Sequence, residues 1–175
     1  MPPHDLEHPA LDQLAATPEI LRILMAGVTD DMAVRKPAPD RWSLAEVLEH
    51  LSHSEGHVFR ARLDLILATD GATVTPYDEK EFDASGTYSG NDAEESFAHW
   101  EEQREAAVEL IRTLDATKLR RTGHHEEFGL FTLENLLNTW VCHDLGHVRQ
   151  IAELVRAQAF LPGMGPFQAG YNLKP

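Results

Sequence analysis

Two histidines one helical turn apart are the residues of this sequence whose type and spacing best suit chemistry. His143 and His147 stand at positions i and i+4, so on a helix both imidazoles project from one side, about a turn apart. A helix offers two nitrogen ligands to one metal ion with this geometry. Such a pair alone is more often an ordinary surface or core pair. The surrounding sequence pattern therefore has to indicate whether this pair binds a metal ion.

The pair lies within a long amphipathic helical pattern. Apolar residues recur at helical spacing from Leu133 to Val155. On that wheel Asp144 and His147 fall on the apolar face, with His143 at its edge. A buried polar group without a partner costs roughly 2–7 kcal/mol. We therefore expect these three side chains to have partners in the folded protein.

Two other helical patterns carry a charged residue within their apolar stripe. Glu55 interrupts the stripe of residues 44–69, and Arg104 that of residues 92–114. Like Asp144, each lies about twelve residues from its helix start, roughly 18 Å along the axis. The three can therefore meet, either as a buried salt-bridge network or as a polar pocket that builds a ligand site. The stripe containing Glu55 is predicted to pass through Leu44, Val47, Leu48, Leu51, Val58, Arg62 and Leu65.

The helix of residues 44–69 supplies the candidates for a third metal ligand. A third ligand would complete a facial set with open positions, and this helix offers His50, His53 and His57. On the wheel His50 lies nearest the core edge, and it comes level with His147 if the two helices are antiparallel. Geometry favours His50, while His53 and His57 form an i, i+4 pair and remain an alternative.

The pattern along the chain predicts four helices, at about 18–31, 44–69, 92–114 and 132–158. Capping residues and an initial proline indicate the helix starts: Thr17 with Pro18, Ser43 with Glu46, Asn91 with Glu94, and Thr132. The connection over residues 70–90 has no helical period and is long for a bundle. A crossover of that length predicts that the second and third helices run parallel. Residues 115–131 are predicted to form a loop or a short extended stretch.

Composition limits the class of protein. A chain of 175 residues with 42% hydrophobic content fits one domain, residues 1–175, with a real core. A net charge of −14 argues against nucleic acid and an anionic membrane surface as partners. The sequence has no apolar run of about 18 residues and no signal-peptide pattern. The single cysteine, Cys142, suits a reducing compartment, so we expect a cytoplasmic protein. The four helical patterns predict an all-α fold.

Two motifs resemble the DinB/YfiT-like superfamily of four-helix-bundle metalloenzymes. One is a Trp-Ser helix start that leads into a His-Leu pair, residues 41–51, with Glu55 shortly after. The other is the late HxxxHxxQ run, residues 143–151. Their order and spacing agree with the family over most of residues 17–158. The resemblance implies a four-helix bundle with up-down-down-up topology, a long crossover between helices two and three, and a homodimer.

The same resemblance implies a cofactor and an activity. In that family one helix-two histidine and both HxxxH histidines hold a divalent ion, commonly zinc or nickel, so the carried-over ligands are His50, His143 and His147. Some relatives are thiol transferases or isomerases that use glutathione-like, mycothiol or bacillithiol cosubstrates. We therefore expect a metal-dependent thiol S-transferase or hydrolase that acts on a small molecule. The alternative is a non-catalytic metal-binding or stress-response protein.

Three charged residues are the candidates for catalytic roles beside the ion. Glu55 and Asp144 could orient a ligand or accept a proton, and the Arg104 fork could hold an anionic substrate. Equally, Glu55 and Arg104 could simply pair with each other. Gln150, one turn beyond His147, could bond a ligand or substrate. Cys142 is expected to be a small buried residue.

Overall fold

The computed structural model describes residues 7–77, 88, 90 and 92–171. The elements up to the crossover are α1 (Pro9–Leu24), the short α2 (Asp30–Ala33), α3 (Leu44–Ser54), a π-helical segment (Glu55–Arg60), α4 (Ala61–Ala68) and β1 (Ala72–Val74). After it come α5 (Ala93–Arg112), the short α6 (Ala116–Leu119), β2 (Thr122–His125), β3 (Gly129–Thr132), α7 (Leu133–Val155), a second π-helical segment (Arg156–Phe160) and a 3₁₀ segment (Leu161–Gly170). We call α3, the first π-helical segment and α4 together the second bundle helix. Within the described ranges, no helix is long and apolar enough to cross a membrane.

The bundle has the predicted all-α architecture and up-down-down-up topology. Both α1 and the second bundle helix pack against α5 and α7. The second bundle helix runs antiparallel to α7: its His50 ring lies 4.7 Å from that of His147, and its later Phe59 stacks 5.0 Å from the earlier Trp140. The prediction of a four-helix bundle is confirmed.

The long crossover makes the second bundle helix and α5 run parallel, as predicted. Ser52 Oγ lies 3.0 Å from His99 Nδ1. Three residues further along, Glu55 contacts Arg104, which lies five residues after His99. The contacts therefore advance in the same direction along both helices.

The core is divided by a polar layer. One apolar cluster contains Leu14, Phe59, Leu63, Ile111 and Trp140, among others. The other contains Leu21, Leu48, Leu51, Trp100 and Ile151. Between the two clusters along their helices lie Glu55, Arg104 and Asp144, each about 1% exposed. The three charges that the sequence placed at similar depths thus occupy one level of the bundle.

The first helix lies earlier in the chain than predicted, and the expected range of residues 18–31 is wrong. α1 begins at Pro9, because the Nδ1 atom of His8 accepts a hydrogen bond from the Ala10 N–H at 3.1 Å and acts as the N-cap. The helix ends before Gly27, whose φ of +83° breaks helical geometry.

Thr17 and Pro18, predicted to start that helix, lie inside it. The Thr17 hydroxyl donates to the Gln13 carbonyl at 2.8 Å rather than capping a helix end. Pro18 has no N–H and cannot donate to the carbonyl of Leu14, one turn earlier. Nη1 of Arg104 donates to that carbonyl instead, at 3.1 Å. A side chain from α5 therefore satisfies the acceptor that the proline leaves open.

The second bundle helix starts at residue 44 as predicted and ends at Ala68, but its second half presents a different face. A π-helix uses more residues per turn than an α-helix, so Glu55–Arg60 rotates everything that follows. Leu63 and Ile66 are fully buried, whereas Leu65 is 40% exposed. The predicted stripe through Arg62 and Leu65 is therefore wrong.

Side-chain caps account for the other helix starts. The capping boxes pair Ser43 with Glu46 and Thr132 with Asn135. α5 is capped by Asp92, which accepts from the Glu95 N–H at 2.8 Å. The predicted cap at Asn91 lies outside the described residues. The predicted ends at 114 and 158 lie two and three residues beyond the observed ends at Arg112 and Val155.

Residues 115–131 hold more regular structure than the predicted loop or short extended stretch. They contain α6 and two strands of a small sheet, in which β1 pairs parallel with β2 and β2 pairs antiparallel with β3. A Cβ at Gly123 would lie 2.7 Å from Phe131 and 3.0 Å from Ile66, so a larger residue would require these side chains to shift where the sheet meets the bundle.

The aromatic residues of the chain after α7 do not cover the bundle. Phe167 and Tyr171 are 77% and 55% exposed.

The π-helical segment yields a stability prediction. Leu63→Ala is expected to lower the free energy of unfolding by about 2–5 kcal/mol, because it empties a core position. Leu65→Ala, two residues away, is the matched control and should cost less than about 1 kcal/mol. Urea unfolding of both variants measures the difference. A larger loss for Leu65→Ala would mean that the helix keeps its α-helical phase.

Candidate metal centre

Three histidines from two helices converge at one point of the bundle. His50 comes from α3, and His143 and His147 come from α7; one ring nitrogen of each lies within 4.8 Å of the other two. The Nε2 atoms of His50 and His143 are 3.0 Å apart. His50 is buried, and the α7 pair is partly exposed. The structure thus brings together the three residues that the sequence singled out as ligands.

The second ring nitrogens have different surroundings. His147 Nδ1 lies 2.9 Å from Gln150 Oε1, and His50 Nδ1 lies 3.2 Å from the Tyr88 hydroxyl. His143 Nδ1 is buried and has no hydrogen-bond partner in the described part of the chain. A ring whose other nitrogen is held by an oxygen presents its Nε2 atom in a fixed direction, as ligand histidines do.

Burial keeps two of these imidazoles neutral. It is the main cause that lowers the pKa of His50 to about 2, with smaller contributions from the neighbouring histidines. Burial likewise lowers the pKa of His147 to about 4, against a smaller opposing effect of its bond to Gln150. A neutral imidazole has the free lone pair that a metal ion requires. The three side chains therefore fit a divalent cation.

The competing pair from helix two lies beside the cluster and not in it, with the His53 ring 5.8 Å from Tyr77 and 6.2 Å from Tyr88. The rings of His53 and His57 stack on each other with centroids 4.3 Å apart. In the described ranges, the group of residues placed to hold an ion contains neither of them. His50, rather than His53, is the helix-two histidine that reaches the pair on α7.

Glu55, Arg104 and Asp144 form one ion-pair network beside the histidines. Arg104 donates from Nε and Nη2 to Glu55, at 2.7 Å each, and from Nη1 and Nη2 to Asp144, at 2.6 and 3.1 Å. With the bond to the Leu14 carbonyl, all five guanidinium N–H groups are used. Indole N–H groups of Trp100 and Trp140 also donate to Glu55. Glu55 and Arg104 therefore pair with each other, and the choice between a structural and a catalytic role for them stays a prediction.

The network shifts the pKa values of its carboxyl groups in opposite directions. Burial raises the pKa of Glu55 and outweighs the opposing effect of Arg104. Burial acts the same way on Asp144, but Arg104 and His143 together hold its pKa below the ordinary value. With both carboxylates ionised, the layer keeps one net negative charge beside the three histidines. Catalytic roles for these three charged residues stay a prediction.

The other candidate residues differ in whether they contact the three histidines. Gln150 contacts His147, one of the candidate metal ligands, as the sequence predicted. Cys142 is exposed, so its expected burial is wrong. Tyr88 and Trp42, which flank His50 with ring centroids 5.7 and 5.0 Å away, were missed as neighbours of the site. Nothing in the aperiodic crossover indicates where Tyr88 lies.

With this fold and this cluster established, comparison with known proteins defines the class. Residues 13–151 match the DinB superfamily. This span is most of the chain and includes all three histidines. The chain belongs to the DinB superfamily.

Two relatives carry a functional description. "Putative metal-dependent hydrolase YfiT" of Bacillus subtilis (strain 168) is 28% identical over 144 residues, which cover 82% of this chain and 80% of that protein. "Putative metal-dependent hydrolase OB0782" of Oceanobacillus iheyensis is 23% identical over 147 residues, 83% of this chain and 84% of that protein. The solved structure of YfiT from Bacillus subtilis is similar to this structure, with a TM-score of 0.75 and 27% sequence identity over 85% of each chain. That protein is described as a probable metal-dependent hydrolase with an unusual four-helix bundle topology.

The ion-pair network predicts a large effect of removing its cation. Arg104→Met is expected to lower the free energy of unfolding by about 3–5 kcal/mol, because two buried carboxylates lose their partner. Arg22→Met breaks an exposed pair with Glu19 and Glu101 and should cost no more than about 1 kcal/mol. Urea unfolding of the metal-free proteins measures both. Similar losses for the two variants would contradict a structural role of the network.

The lowered pKa of His50 predicts a dependence of stability on pH. Its folded pKa lies below the unfolded value of 6.5, so its contribution is complete above pH 6.5 and is lost as the pH falls. The metal-free protein should lose up to about 1.4 kcal/mol per pH unit from this group below pH 6.5. His50→Gln should flatten the profile, and the exposed His124→Gln should not. Urea unfolding at several pH values tests this, and parallel profiles for wild type and His50→Gln would refute it.

Proposed function

We propose that this protein is a divalent-metal-dependent hydrolase whose ion is held by His50, His143 and His147. The observation that carries the proposal is the convergence of three ring nitrogens within 4.8 Å of one another. The descriptions of the two relatives as metal-dependent hydrolases support the reaction class. Three protein ligands leave coordination positions for water and substrate, which is the arrangement of catalytic rather than structural sites.

The donor set favours particular ions. Imidazole nitrogens suit zinc and nickel among the divalent metals, whereas carboxylate and carbonyl oxygens suit magnesium and calcium. We therefore propose zinc or nickel. When bound, such an ion would act as a Lewis acid and lower the pKa of a water molecule toward 7.

Residues of the chain position these ligands. Gln150 accepts a hydrogen bond from Nδ1 of His147, which leaves the Nε2 lone pair directed at the centre. Asp144 Oδ1 lies 3.9 Å from His143 Nδ1, so a small rotation of the ring would give that nitrogen a carboxylate acceptor. We propose that Asp144 orients His143 in this way when an ion is present.

Glu55 and Arg104 act through structure in this proposal. Both are about 1% exposed, and the guanidinium has no N–H left for a substrate. They hold Asp144 in place relative to the second bundle helix. Because His143 precedes Asp144 in the chain, its position along α7 is held as well.

Thiol transfer is the competing activity for the same centre. A low-molecular-weight thiol would bind at the position that water occupies in hydrolysis, held as thiolate. The sequence has no feature that selects one thiol, so hydrolysis is proposed and transfer is an outcome of the test. The homodimer implied by the family resemblance stays a prediction.

Metal content provides the first test. Elemental analysis of untagged wild-type protein is expected to give one ion per chain after incubation with zinc or nickel. His50→Ala and His147→Ala should lose that ion, since two ligands bind weakly. His53→Ala is the matched control and should keep it, because its ring lies outside the three-histidine cluster. Wild-type protein without bound metal would sink the proposal.

Turnover provides the second readout on the same variants. Metal-loaded wild type is expected to hydrolyse p-nitrophenyl esters faster than the metal-free protein and faster than His50→Ala. Product formed only when glutathione is added, with a new carbon–sulfur bond, would replace hydrolysis with thiol transfer. Bound metal without either activity would favour a binding protein.

A further inference from the structure

A hydrogen-bonded chain of two tyrosines ends on His50. The Tyr88 hydroxyl lies 3.2 Å from His50 Nδ1 and 3.0 Å from the Tyr77 hydroxyl. Tyr88 is 8% exposed, and its ring meets the imidazole edge-on with centroids 5.7 Å apart. His147 bonds Gln150 on its own helix, whereas the outer nitrogen of His50 is held from a distant segment. This contact therefore links the centre to the crossover.

Gly90 fixes the backbone close to Tyr88 against α3. Its N–H donates to Glu49 Oε2 at 2.9 Å, and its φ is +63°. A Cβ at this position would lie 2.9 Å from Cγ of Glu46 and 3.3 Å from Oγ of Ser43. Glycine alone combines this backbone conformation with so close an approach. The chain that carries Tyr88 is thus anchored two residues away.

The direction of the Tyr88–His50 hydrogen bond decides which nitrogen of His50 carries the proton. If Nδ1–H donates to the tyrosine oxygen, the Nε2 lone pair faces His143 and the centre. If Tyr88 donates, the proton lies on Nε2, where the ion would bind. Two neighbours favour the first arrangement. Tyr88 can donate to Tyr77, and the Ser54 hydroxyl, 3.4 Å from His50 Nε2, can donate to that nitrogen.

Resting on the metal site proposed above, we infer that Tyr88 is a positioning residue of the centre. Together with Tyr77 it holds His50 as the Nδ1–H tautomer and thereby raises the affinity of the three histidines for their ion. Partners of this kind change metal affinity by a factor of about 10–100. Tyr88 acts through His50 and has no contact with substrate in this role.

The test compares Tyr88→Phe with Tyr171→Phe, which removes the hydroxyl of a tyrosine that is 55% exposed. Zinc affinity is measured by competition with a chromophoric chelator, and the His50 tautomer by NMR of nitrogen-labelled histidine in the metal-free protein. Tyr88→Phe is expected to raise the zinc Kd about 10- to 100-fold and to shift His50 toward the Nε2–H tautomer. Tyr77→Phe should raise the Kd by a smaller factor, and Tyr171→Phe should change neither quantity.

The outcomes separate this inference from the proposed function. Equal zinc Kd values for wild type and Tyr88→Phe would overturn the inference and leave the metal site in place. A wild-type His50 protonated on Nε2 would overturn it as well. Wild-type protein that binds neither zinc nor nickel would remove the proposed function and the inference with it. If circular dichroism shows that Tyr88→Phe does not fold, Tyr77→Phe decides, and an unchanged Kd overturns the inference.

Discussion

The guanidinium of Arg104 is the point at which all four bundle helices meet. The arginine belongs to α5, and its N–H groups reach the Leu14 carbonyl on α1, Glu55 in the second bundle helix and Asp144 on α7. A buried ion pair adds little net stability, because both partners lose their hydration, but removal of one partner leaves an uncompensated charge. The network therefore acts mainly on alignment: a helix that slides along its axis leaves a charge unpaired in the core.

That alignment also sets the geometry of the three histidines. Asp144 directly follows His143, and Glu55 lies five residues after His50 on the antiparallel helix. A slip of one residue moves a helix by about 1.5 Å, whereas metal–ligand distances tolerate only about 0.2 Å. The charged layer and the candidate metal centre thus depend on the same register of the helices.

Features that follow from helix periodicity could be predicted from the sequence, and features that break it could not. The polar level through Glu55 and the choice of His50 over its neighbours both come from the helical wheel, and the structure places both as predicted. The wheel fails after Glu55 because the π-helical segment changes the phase, which misplaces Leu65. Pro18 resembles a helix start because a missing N–H is typical of the first helical position, and Tyr88 belongs to a segment without helical periodicity.

Pro18 and Arg104 complement each other in a way that neither sequence position reveals alone. A proline inside a helix normally weakens it by leaving one carbonyl without a donor, and a buried arginine needs an acceptor for each of its five N–H groups. Here one N–H group of Arg104 meets the carbonyl of Leu14 that Pro18 leaves vacant. Two residues that each look unfavourable in isolation are therefore a matched pair. Helix α1 thus accommodates its proline because a side chain of α5 supplies the missing hydrogen-bond donor.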